Sequence, residues 1–324
     1  MTESPWKFVQ TFPVPDVGLD MLRAAGSVVQ ILDPQPGEVE ANMAGTHVIV
    51  AGTEPITEST FEVSPDLEII GRFGAGVDSV DVEAATKRGI AVLNTPGMNS
   101  QTVAEHTFAL LLGITHHVAQ ADASTRTEAF KLRTVLVGME LEGKTLGIVG
   151  LGDIGSRVAR IGHFGFGMKL LVHTANPHPQ RLADLGIEAR YVDLDELMSA
   201  ADVVTLHTAL TPETTGMISR ERLELMKPGA YLINTARGTL IDEGALADLL
   251  AANRIRGAGL DVFVVEPPSL DNPLFQLPNV VLTPHMSSNS DDAFARMGIL
   301  LCESILERLQ GGRPWNCVNP EVYE

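Results

Sequence analysis

Short apolar runs that alternate with helical segments constrain the fold of this chain more than any other feature. Several runs, such as THVIVAG at 46–52 and DVVTLHT at 202–208, are apolar on consecutive residues, as expected of strands buried on both faces. Segments with helical spacing, such as DLDELMSAA at 193–201, fall between many of the runs. Because strands that alternate with helices form βαβ units, the sequence predicts an α/β fold with parallel sheets.

Two predicted long helices and the length of the chain indicate two domains. The 324 residues exceed the roughly 250–300 at which a single core stops growing. One apolar helix is predicted from about Ser100 to Thr125, just before a glycine-rich motif, and another from about Asp291 to Leu309. If the glycine-rich motif begins a dinucleotide-binding domain, that domain spans 100–290, and 1–99 with 291–324 form a discontinuous substrate domain.

The segment GIVGLGDIG at 147–155 contains a Gly-x-Gly-x-x-Gly motif. It follows an apolar run and precedes residues at helical spacing, which is the context of a dinucleotide-binding βαβ unit. Such glycines permit a tight turn and a close approach to a pyrophosphate, and the first helical residues supply amide donors. The predicted contacts are Gly150, Gly152, Asp153, Ile154 and Gly155. The alternative is a glycine-rich turn that binds no ligand.

The second strand of this unit bears on which dinucleotide binds. NAD sites commonly carry a carboxylate about 20 residues after the glycines. Here Thr174 or a neighbour takes that place, and the sequence from Gly167 to Arg181 contains no Asp or Glu that would repel a 2′-phosphate. Side chains that could donate to such a phosphate are those of His173, Thr174, Asn176, His178 and Arg181. We expect NADP or NAD, with a slight preference for NADP.

Three polar residues follow predicted strands and are candidates for chemistry. Arg237 comes directly after LINTA, Glu266 precedes two prolines after GLDVF, and His285 follows VVLTP. Residues beyond the carboxyl ends of parallel strands line the ligand crevice of such sheets. Each residue has an alternative that the sequence leaves open. Arg237 could form a structural salt bridge, Glu266 could be a solvated loop carboxylate, and His285 could be a hydrogen-bonded surface histidine.

The charge of the chain excludes some classes of partner. Because 41 acidic residues stand against 23 basic ones, the net charge of −18 argues against nucleic acid or an anionic membrane as the main partner. The start MTESPWKFVQ lacks the pattern of a signal peptide, and apolar runs such as FALLLGI are too short to cross a bilayer. We expect a cytoplasmic protein in which Cys302 and Cys317 are reduced thiols.

The histidines do not form a pattern typical of a metal site. His116 and His117 are adjacent on the predicted helix from Ser100, where neighbouring side chains point about 100° apart. His106 and His163 are expected in the core or at an interface. We therefore predict no metal.

Several ordered motifs resemble those of the D-isomer-specific 2-hydroxyacid dehydrogenase family, which includes phosphoglycerate, hydroxypyruvate/glyoxylate and D-lactate dehydrogenases. The motifs span nearly the whole chain: GRFGAGVDSVDVEAATKRGIAVLNTPG, VAEHTFALLL, LEGKTLGIVGLGDIGSRVA, LHTALTPETTGMI, MKPGAYLINTARGTLIDEGALADLL, GAGLDVFVVEPP and LPNVVLTPH. The resemblance implies two Rossmann-like domains with parallel sheets. It also implies a homodimer formed through the nucleotide domain, to which the helix from Ser100 is expected to contribute.

The resemblance assigns roles to the three strand-end residues. Arg237 resembles the family's substrate arginine, His285 its acid/base, and Glu266 the partner of that histidine. An arginine can hold a carboxylate with its planar fork and polarise an adjacent carbonyl. A protonated imidazole can deliver a proton to the carbonyl oxygen, and a nearby carboxylate favours the charged imidazole. We therefore expect reduction near neutral pH and the reverse reaction at higher pH.

Binding roles are implied in the same way. The stretch FGAGVD resembles the family's substrate loop, whose amides at Ala75, Gly76 and Val77 help to bind the carboxylate, although a tight turn is the alternative. Asp261 resembles the residue that holds the nicotinamide amide, and its alternative is a carboxylate that caps a turn. Further residues at cofactor positions of the family are Val103, His207, Thr208, Thr235 and His285.

These roles predict an NAD(P)-dependent D-2-hydroxyacid dehydrogenase that reduces small 2-oxo acids, with glyoxylate or hydroxypyruvate favoured. A phosphoglycerate dehydrogenase is one alternative. Another is a dinucleotide-sensing corepressor on the same fold, because such corepressors keep the three residues. A relative acting on formate or phosphite fits less well, since those substrates need no proton donor to a carbonyl. Ser287 and Ser288 replace the small pair that the family commonly has after the histidine, which leaves the substrate open.

Overall fold

The computed structural model describes residues 6–32, 35, 37–127 and 130–324. The chain divides into two compact units. Unit 1 consists of Met1–Asn99 and Asn289–Glu324, and unit 2 consists of Ser100–Ser288. All strand pairs of the two sheets in the described residues are parallel, as the alternation of strands and helices predicts.

The strands are short. In chain order they are β1 Trp6–Gln10, β2 Gly26–Gln30, β3 Val48–Ala51, β4 Ile69–Arg72, β5 Ala91–Leu93, β6 Thr145–Val149, β7 Lys169–His173, β8 Ala189–Tyr191, β9 Val203–Leu206, β10 Tyr231–Asn234, β11 Gly257–Leu260 and β12 Val280–Leu282. Of these, β8 has no counterpart among the predicted strands. Its sequence, ARY, contains no apolar run, and its place at the edge of a sheet does not require one.

The α-helices connect these strands. In chain order they are α1 Asp16–Ala25, α2 Glu38–Asn42, α3 Glu58–Glu62, α4 Val82–Lys87, α5 Ser100–Thr115, α6 Val118–Arg126, α7 Asp153–Arg160, α8 Pro179–Asp184, α9 Leu194–Ala200, α10 Arg220–Leu225, α11 Glu243–Ala251 and α12 Asp291–Leu309. A π-helical turn, Ile161–Gly165, extends α7. Short 3₁₀ helices lie at Phe130–Thr134, Gly238–Leu240, Pro273–Gln276 and Pro320–Tyr323. Within the described residues, no helix combines the length and the apolar character that a membrane span requires.

One predicted helix is two helices. The segment from Ser100 to Thr125 is interrupted between α5 and α6, where His117 has a φ of 55° in the left-handed region. The imidazole Nε2 of His117 lies 3.2 Å from the carbonyl oxygen of Val137. The prediction that His116 and His117 share a helix is therefore wrong, because both lie in the turn that ends α5.

The order of strands in each sheet identifies its topology. The unit 1 sheet has the order β2-β1-β3-β4-β5, and the unit 2 sheet has the order β8-β7-β6-β9-β10-β11-β12. Both are doubly wound orders, and the second begins with the Rossmann arrangement. Ligands of such sheets bind outside the carboxyl ends of the strands where the order reverses. In unit 2 this point lies between β6 and β9.

Burial on both faces explains the continuous apolar runs. In β3, Val48 and Val50 pack into one core layer with Phe8, while Ile49 and Ala51 pack into the layer on the other face. Unit 2 likewise has one apolar layer on each face of its sheet. The strands thus lie in the middle of three layers, and only their ends and loops present polar groups to a ligand.

Candidate active site

Three neighbouring strands of unit 2 carry the polar candidates at their carboxyl ends. Arg237 lies three residues after β10, Glu266 lies six residues after β11, and His285 lies three residues after β12. Because β10 pairs with β11 and β11 with β12, the loops that follow them are adjacent at one edge of the sheet.

A glycine brings two of these loops into contact. A Cβ atom on Gly238 would lie 1.9 Å from the carbonyl carbon of Phe263 and 2.4 Å from the amide nitrogen of Val264, so only glycine fits there. Asn234, which is fully buried, braces the same loop. Its Nδ2 donates to the carbonyl of Arg237 at 2.8 Å, and its Oδ1 accepts from the amide of Ala236 at 3.0 Å.

Both of these supporting residues lay outside our sequence predictions. Asn234 is the last residue of β10, and Gly238 directly follows Arg237. The sequence pattern that could have identified them is the run NTARG, in which Asn234 and Gly238 lie on either side of the candidate Arg237. The run does not predict that Gly238 is required, because that requirement depends on the backbone of Phe263, which packs against it in the fold.

His285 and Glu266 form a hydrogen-bonded pair. The distance from His285 Nδ1 to Glu266 Oε2 is 2.6 Å, and the other carboxylate oxygen accepts from the amide of Phe263 at 3.0 Å. The two side chains are 29% and 31% exposed, so the pair is accessible from outside the unit. Because Nδ1 faces the carboxylate, Nε2 is the ring nitrogen that can exchange a proton with a bound molecule.

The charges of the cluster act on Glu266. Partial burial alone would raise the pKa of the Glu266 carboxyl. The hydrogen bond and charge of His285, the amide of Phe263 and the charge of Arg237 together outweigh it and hold that pKa below its ordinary value of 4.5. Glu266 is therefore ionised near neutral pH. Arg237 is close enough to contribute to this field, and its Nη1 donates to the carbonyl of Ala236 at 2.7 Å.

A buried carboxylate organises the turn that carries His285. Oδ1 of Asp261 accepts from the amide of Met286 at 2.8 Å, and Oδ2 accepts from the amide of Ser287 at 2.9 Å. The main-chain carbonyl of Asp261 accepts from the amide of His285 at 2.7 Å, which holds His285 at a φ of 49°. These contacts match the turn-capping alternative for Asp261, and its contact with a nicotinamide amide stays a prediction.

The glycine motif forms a loop after β6 at the point where the strand order reverses. A Cβ atom on Gly150, whose φ is 96°, would lie 2.5 Å from the carbonyl oxygen of His207. One on Gly155 would lie 2.1 Å from the carbonyl oxygen of Gly150. One on Gly152 would meet no atom within 4 Å. The protein itself thus requires the first and third glycines, whereas the second faces open space.

The start of α7 is suited to an anion. Gly152 is the N-cap of α7 and provides no side-chain cap, whereas the N-cap of α11, Asp242, accepts from the amide of Ala245 at 2.9 Å. First-turn amides without a side-chain acceptor, together with the helix dipole, favour a phosphate. Asp153 and Ile154 are the first two residues of this helix.

The end of β7 presents no carboxylate of its own. Thr174 directly follows His173, the last residue of β7. Arg181, on α8, donates its Nε to Ser156 Oγ at 3.1 Å and lies 3.3 Å from a carboxylate oxygen of Asp153. The guanidinium of Arg181 is therefore held beside the first turn of α7.

The remaining predicted cofactor residues of unit 2 lie along the same sheet edge or on α5. His207 follows β9, and burial lowers its pKa to about 3, so the imidazole is neutral. Its Nε2 lies 2.9 Å from Thr205 Oγ1. Thr235 follows β10 and bonds Thr107 of α5 at 3.2 Å between hydroxyls. Thr208 is half-buried beside His207, and Val103 is buried on α5.

The predicted substrate loop lies in unit 1. Ala75, Gly76 and Val77 follow β4, and the carbonyl of Ala75 accepts from Asn94 Nδ2 at 2.7 Å. The loop is partly exposed, and its far end is fixed where the amide of Ile56 donates to the carbonyl of Ser79 at 2.8 Å.

In the described part of the chain, no group of three or more His, Cys, Asp or Glu residues is placed to hold a metal ion.

Comparisons with known proteins agree with this architecture. The model of the D-isomer specific 2-hydroxyacid dehydrogenase, NAD binding domain, matches residues 108–287. A glyoxylate reductase of Korarchaeum cryptofilum is 42% identical over 275 residues, which is 84% of this chain and 82% of that protein. A D-3-phosphoglycerate dehydrogenase of Mycobacterium leprae is 43% identical over 265 residues, which is 82% of this chain and 49% of that protein.

A solved structure extends the likeness over almost the whole chain. The NADPH-dependent glyoxylate/hydroxypyruvate reductase of Sinorhizobium meliloti, in complex with NADP and malonate, is 30% identical and has a TM-score of 0.85. The match covers 98% of each chain. Both units of the present fold therefore have counterparts in that reductase, whereas the chain spans about half the length of the mycobacterial phosphoglycerate dehydrogenase.

Proposed function

The chain belongs to the D-isomer specific 2-hydroxyacid dehydrogenase family, and from this premise we propose that it reduces small 2-oxo acids with NADPH or NADH. The observation that carries the proposal is the cluster of Arg237, Glu266 and His285 in unit 2, with His285 Nδ1 2.6 Å from Glu266 Oε2. Glyoxylate and hydroxypyruvate are the favoured substrates, because relatives named for them match most of the chain. A phosphoglycerate dehydrogenase remains the second candidate, favoured by the mycobacterial relative.

In the proposed reaction, the chain binds the acid, orients its carbonyl and supplies the proton. The guanidinium of Arg237 holds the substrate carboxylate and polarises the neighbouring carbonyl. When bound, the reduced nicotinamide supplies a hydride to the carbonyl carbon. His285 Nε2–H donates its proton to the carbonyl oxygen, and Glu266 stabilises the charged imidazole before transfer and fixes the plane of the ring. The amides of Ala75, Gly76 and Val77, which lie in unit 1, stay a prediction as contacts of a substrate.

The glycine loop of unit 2 is the proposed dinucleotide site. The residues fit the group, because Gly152 has open space where a side chain would stand and α7 begins without a side-chain cap. Gly150, Asp153, Ile154 and Gly155 would hold the pyrophosphate, and Thr174 would face the adenosine ribose. His207, Thr208, Thr235, Asp261 and Val103 are the proposed contacts to the rest of the cofactor.

We propose a slight preference for NADPH over NADH. It is supported by the absence of Asp and Glu from 167–181 and by Arg181 beside the first turn of α7. The ratio of kcat/KM for the two reduced cofactors tests it, and a hundredfold preference for NADH would overturn it. Thr174→Asp, which introduces the missing carboxylate, should shift the ratio towards NADH.

A homodimer formed through unit 2 is proposed from its exposed apolar residues. Val118 is 55% exposed, Phe130 79%, Val135 67% and Val137 68%, all between the start of α6 and the start of β6. Apolar side chains concentrated in one stretch of sequence favour an interface. Light scattering of the purified chain should give twice the monomer mass of 34.7 kDa, and Val135→Asp with Val137→Asp should give the monomer.

The deciding experiment is a panel of 2-oxo acids offered with NADPH and with NADH and read by absorbance of the reduced nicotinamide. The proposal predicts turnover of at least one small 2-oxo acid, with glyoxylate, hydroxypyruvate and 3-phosphohydroxypyruvate as the informative members. Cofactor binding without turnover of any member would instead support the dinucleotide-sensing alternative. Turnover confined to the phosphorylated acid would favour a phosphoglycerate dehydrogenase.

A further inference from the structure

A histidine outside the catalytic cluster is joined to it by a chain of hydrogen bonds. His106 lies on α5, and its Nε2 is 3.0 Å from Thr283 Oγ1. Thr283 Oγ1 in turn is 2.6 Å from Asp261 Oδ1, which itself lies 3.7 Å from His106 Nε2. The imidazole of His106 is 18% exposed, and the carboxylate of Asp261 is fully buried.

The direction of these hydrogen bonds follows from the acceptor. The hydroxyl of Thr283 donates to Oδ1 of Asp261, and a hydroxyl has only one proton to donate. The oxygen of Thr283 therefore accepts from His106, and Nε2 of His106 carries the proton. A Gln side chain can supply an N–H donor in place of Nε2, whereas Leu cannot.

The carboxylate at the end of this chain is the one that shapes the turn after β12. Oδ1 of Asp261 accepts from Thr283 and from the amide of Met286, and Oδ2 accepts from the amide of Ser287. A carboxylate with no solvent access needs protein donors for its hydrogen bonds. Loss of one donor leaves a buried acceptor without a hydrogen bond, which destabilises the folded state. The residue that this turn must hold is His285, whose backbone lies in the left-handed region at a φ of 49°.

We propose that His106 is a positioning residue for the proton donor. Through Thr283 it fixes the Asp261 carboxylate, and thereby the turn at 285–287 that keeps His285 against Glu266. The proposal rests on the proposed function for its kinetic consequence, because a displacement of about 1 Å at a reacting group can cost on the order of 10²-fold in rate. Its structural part, the coupling of His106 to the turn, stands independently of turnover.

The experiment compares His106→Leu, His106→Gln and Thr283→Val with wild type. His116→Leu is the matched control, because it removes an exposed histidine from the turn that ends α5. Hydrogen exchange of the amides of Met286 and Ser287 reports the turn whether or not a substrate is known. The kinetic readouts are kcat and KM for the best 2-oxo acid, and Tm reports general destabilisation.

We expect His106→Leu and Thr283→Val each to speed exchange of those two amides by about tenfold, as the loss of one hydrogen bond of roughly 1.4 kcal/mol implies. They should lower kcat by about 10–100-fold with KM within a fewfold, and the double variant should lose no more than either single variant. His106→Gln and His116→Leu should resemble wild type in exchange, kcat and Tm.

Two results would overturn the proposal. Unchanged exchange at Met286 and Ser287 in His106→Leu would show that the imidazole does not hold the turn. A lowered Tm shared by His106→Leu and His106→Gln, with faster exchange throughout unit 2, would show that His106 acts by packing alone. If wild type turns over no 2-oxo acid while the exchange pattern is as expected, the proposed function fails and the coupling survives.

Discussion

Two strand-end regions of the unit 2 sheet differ in what they offer a ligand: the glycine loop after β6, and the cluster after β10, β11 and β12. The loop consists of backbone, with open space at Gly152 and the first amides of α7 as donors. The cluster consists of side chains: the carboxylate of Glu266 is hydrogen-bonded to the imidazole of His285 and interacts electrostatically with the guanidinium of Arg237. A backbone site can bind a phosphate but cannot move a proton, whereas the imidazole of the cluster can move one. Binding and chemistry are therefore separable by mutation.

The largest expected effect breaks the chemistry and leaves binding intact. His285→Ala should lower kcat for 2-oxo acid reduction by about 10³-fold, because it removes the proposed proton donor. Cofactor affinity, measured by quenching or enhancement of nicotinamide fluorescence, should stay within a fewfold of wild type. Equal losses of turnover and of cofactor affinity would show that the two regions do not act separately.

A smaller loss of activity is expected at Arg237, the residue proposed to hold the substrate carboxylate. Arg237→Ala should lower kcat/KM by about 10²-fold through both a higher KM and a lower kcat, since in the proposed mechanism the guanidinium contacts the substrate carboxylate and carbonyl. Arg237→Lys keeps the charge but loses the planar fork, so it should recover only part of the loss. Steady-state kinetics with the best 2-oxo acid measure both, and wild-type values for Arg237→Ala would remove the arginine from the mechanism.

The glycine loop offers a matched pair of variants that tests the other region. Gly152→Ala places a methyl group in open space, so Tm without cofactor should not change, but cofactor Kd should rise by about tenfold. Gly155→Ala places its methyl 2.1 Å from the carbonyl oxygen of Gly150, so Tm should fall by several degrees. If Gly152→Ala left cofactor Kd unchanged, that open space would not be where the pyrophosphate approaches.

The smallest effect concerns the stability of the cluster. The folded-state pKa of Glu266 lies below 4.5, so its ionised form stabilises the fold fully above that value, and this stabilisation is lost as pH falls through the lowered pKa. Because the pair is about 30% exposed, Glu266→Gln should lower Tm by only roughly 1–2 °C at pH 7. The difference in Tm between Glu266→Gln and wild type should shrink as the pH falls. A difference in Tm that grows on acidification would contradict a lowered pKa of Glu266.

The sequence predicted the two regions unequally well, for a physical reason. The glycines at 150, 152 and 155 lie within six residues of one another, so the strand before them and the helix after them are enough to predict a dinucleotide-binding loop. Arg237, Glu266 and His285 are spread over 49 positions, and only the pairing of β10, β11 and β12 brings them together. Their place after predicted strands made these three residues candidates, and the family resemblance then assigned a role to each.

Features that depend on close approach or on a break in a helix escaped prediction. The requirement for Gly238 arises from the backbone of Phe263, 25 positions away, and the link from His106 to Asp261 spans 155 positions. The interruption of the helix from Ser100 at His117 was also missed, because the apolar spacing continues into α6 and no proline marks the break. The edge strand β8 has too few apolar residues to be recognised.

The most direct test of the central claim follows the reducing hydrogen and the configuration of the product. The chain is given the best 2-oxo acid of the panel, hydroxypyruvate by preference, with NADPH or NADH that carries deuterium at both C4 positions of the nicotinamide. The product is examined by NMR and chiral chromatography. The account predicts the D-2-hydroxy acid with one deuterium at C2 per cofactor oxidised, and formation of that product about 10³-fold more slowly by His285→Ala. Oxidation of the cofactor without deuterium at C2, formation of the L-acid, or full turnover by His285→Ala would contradict it.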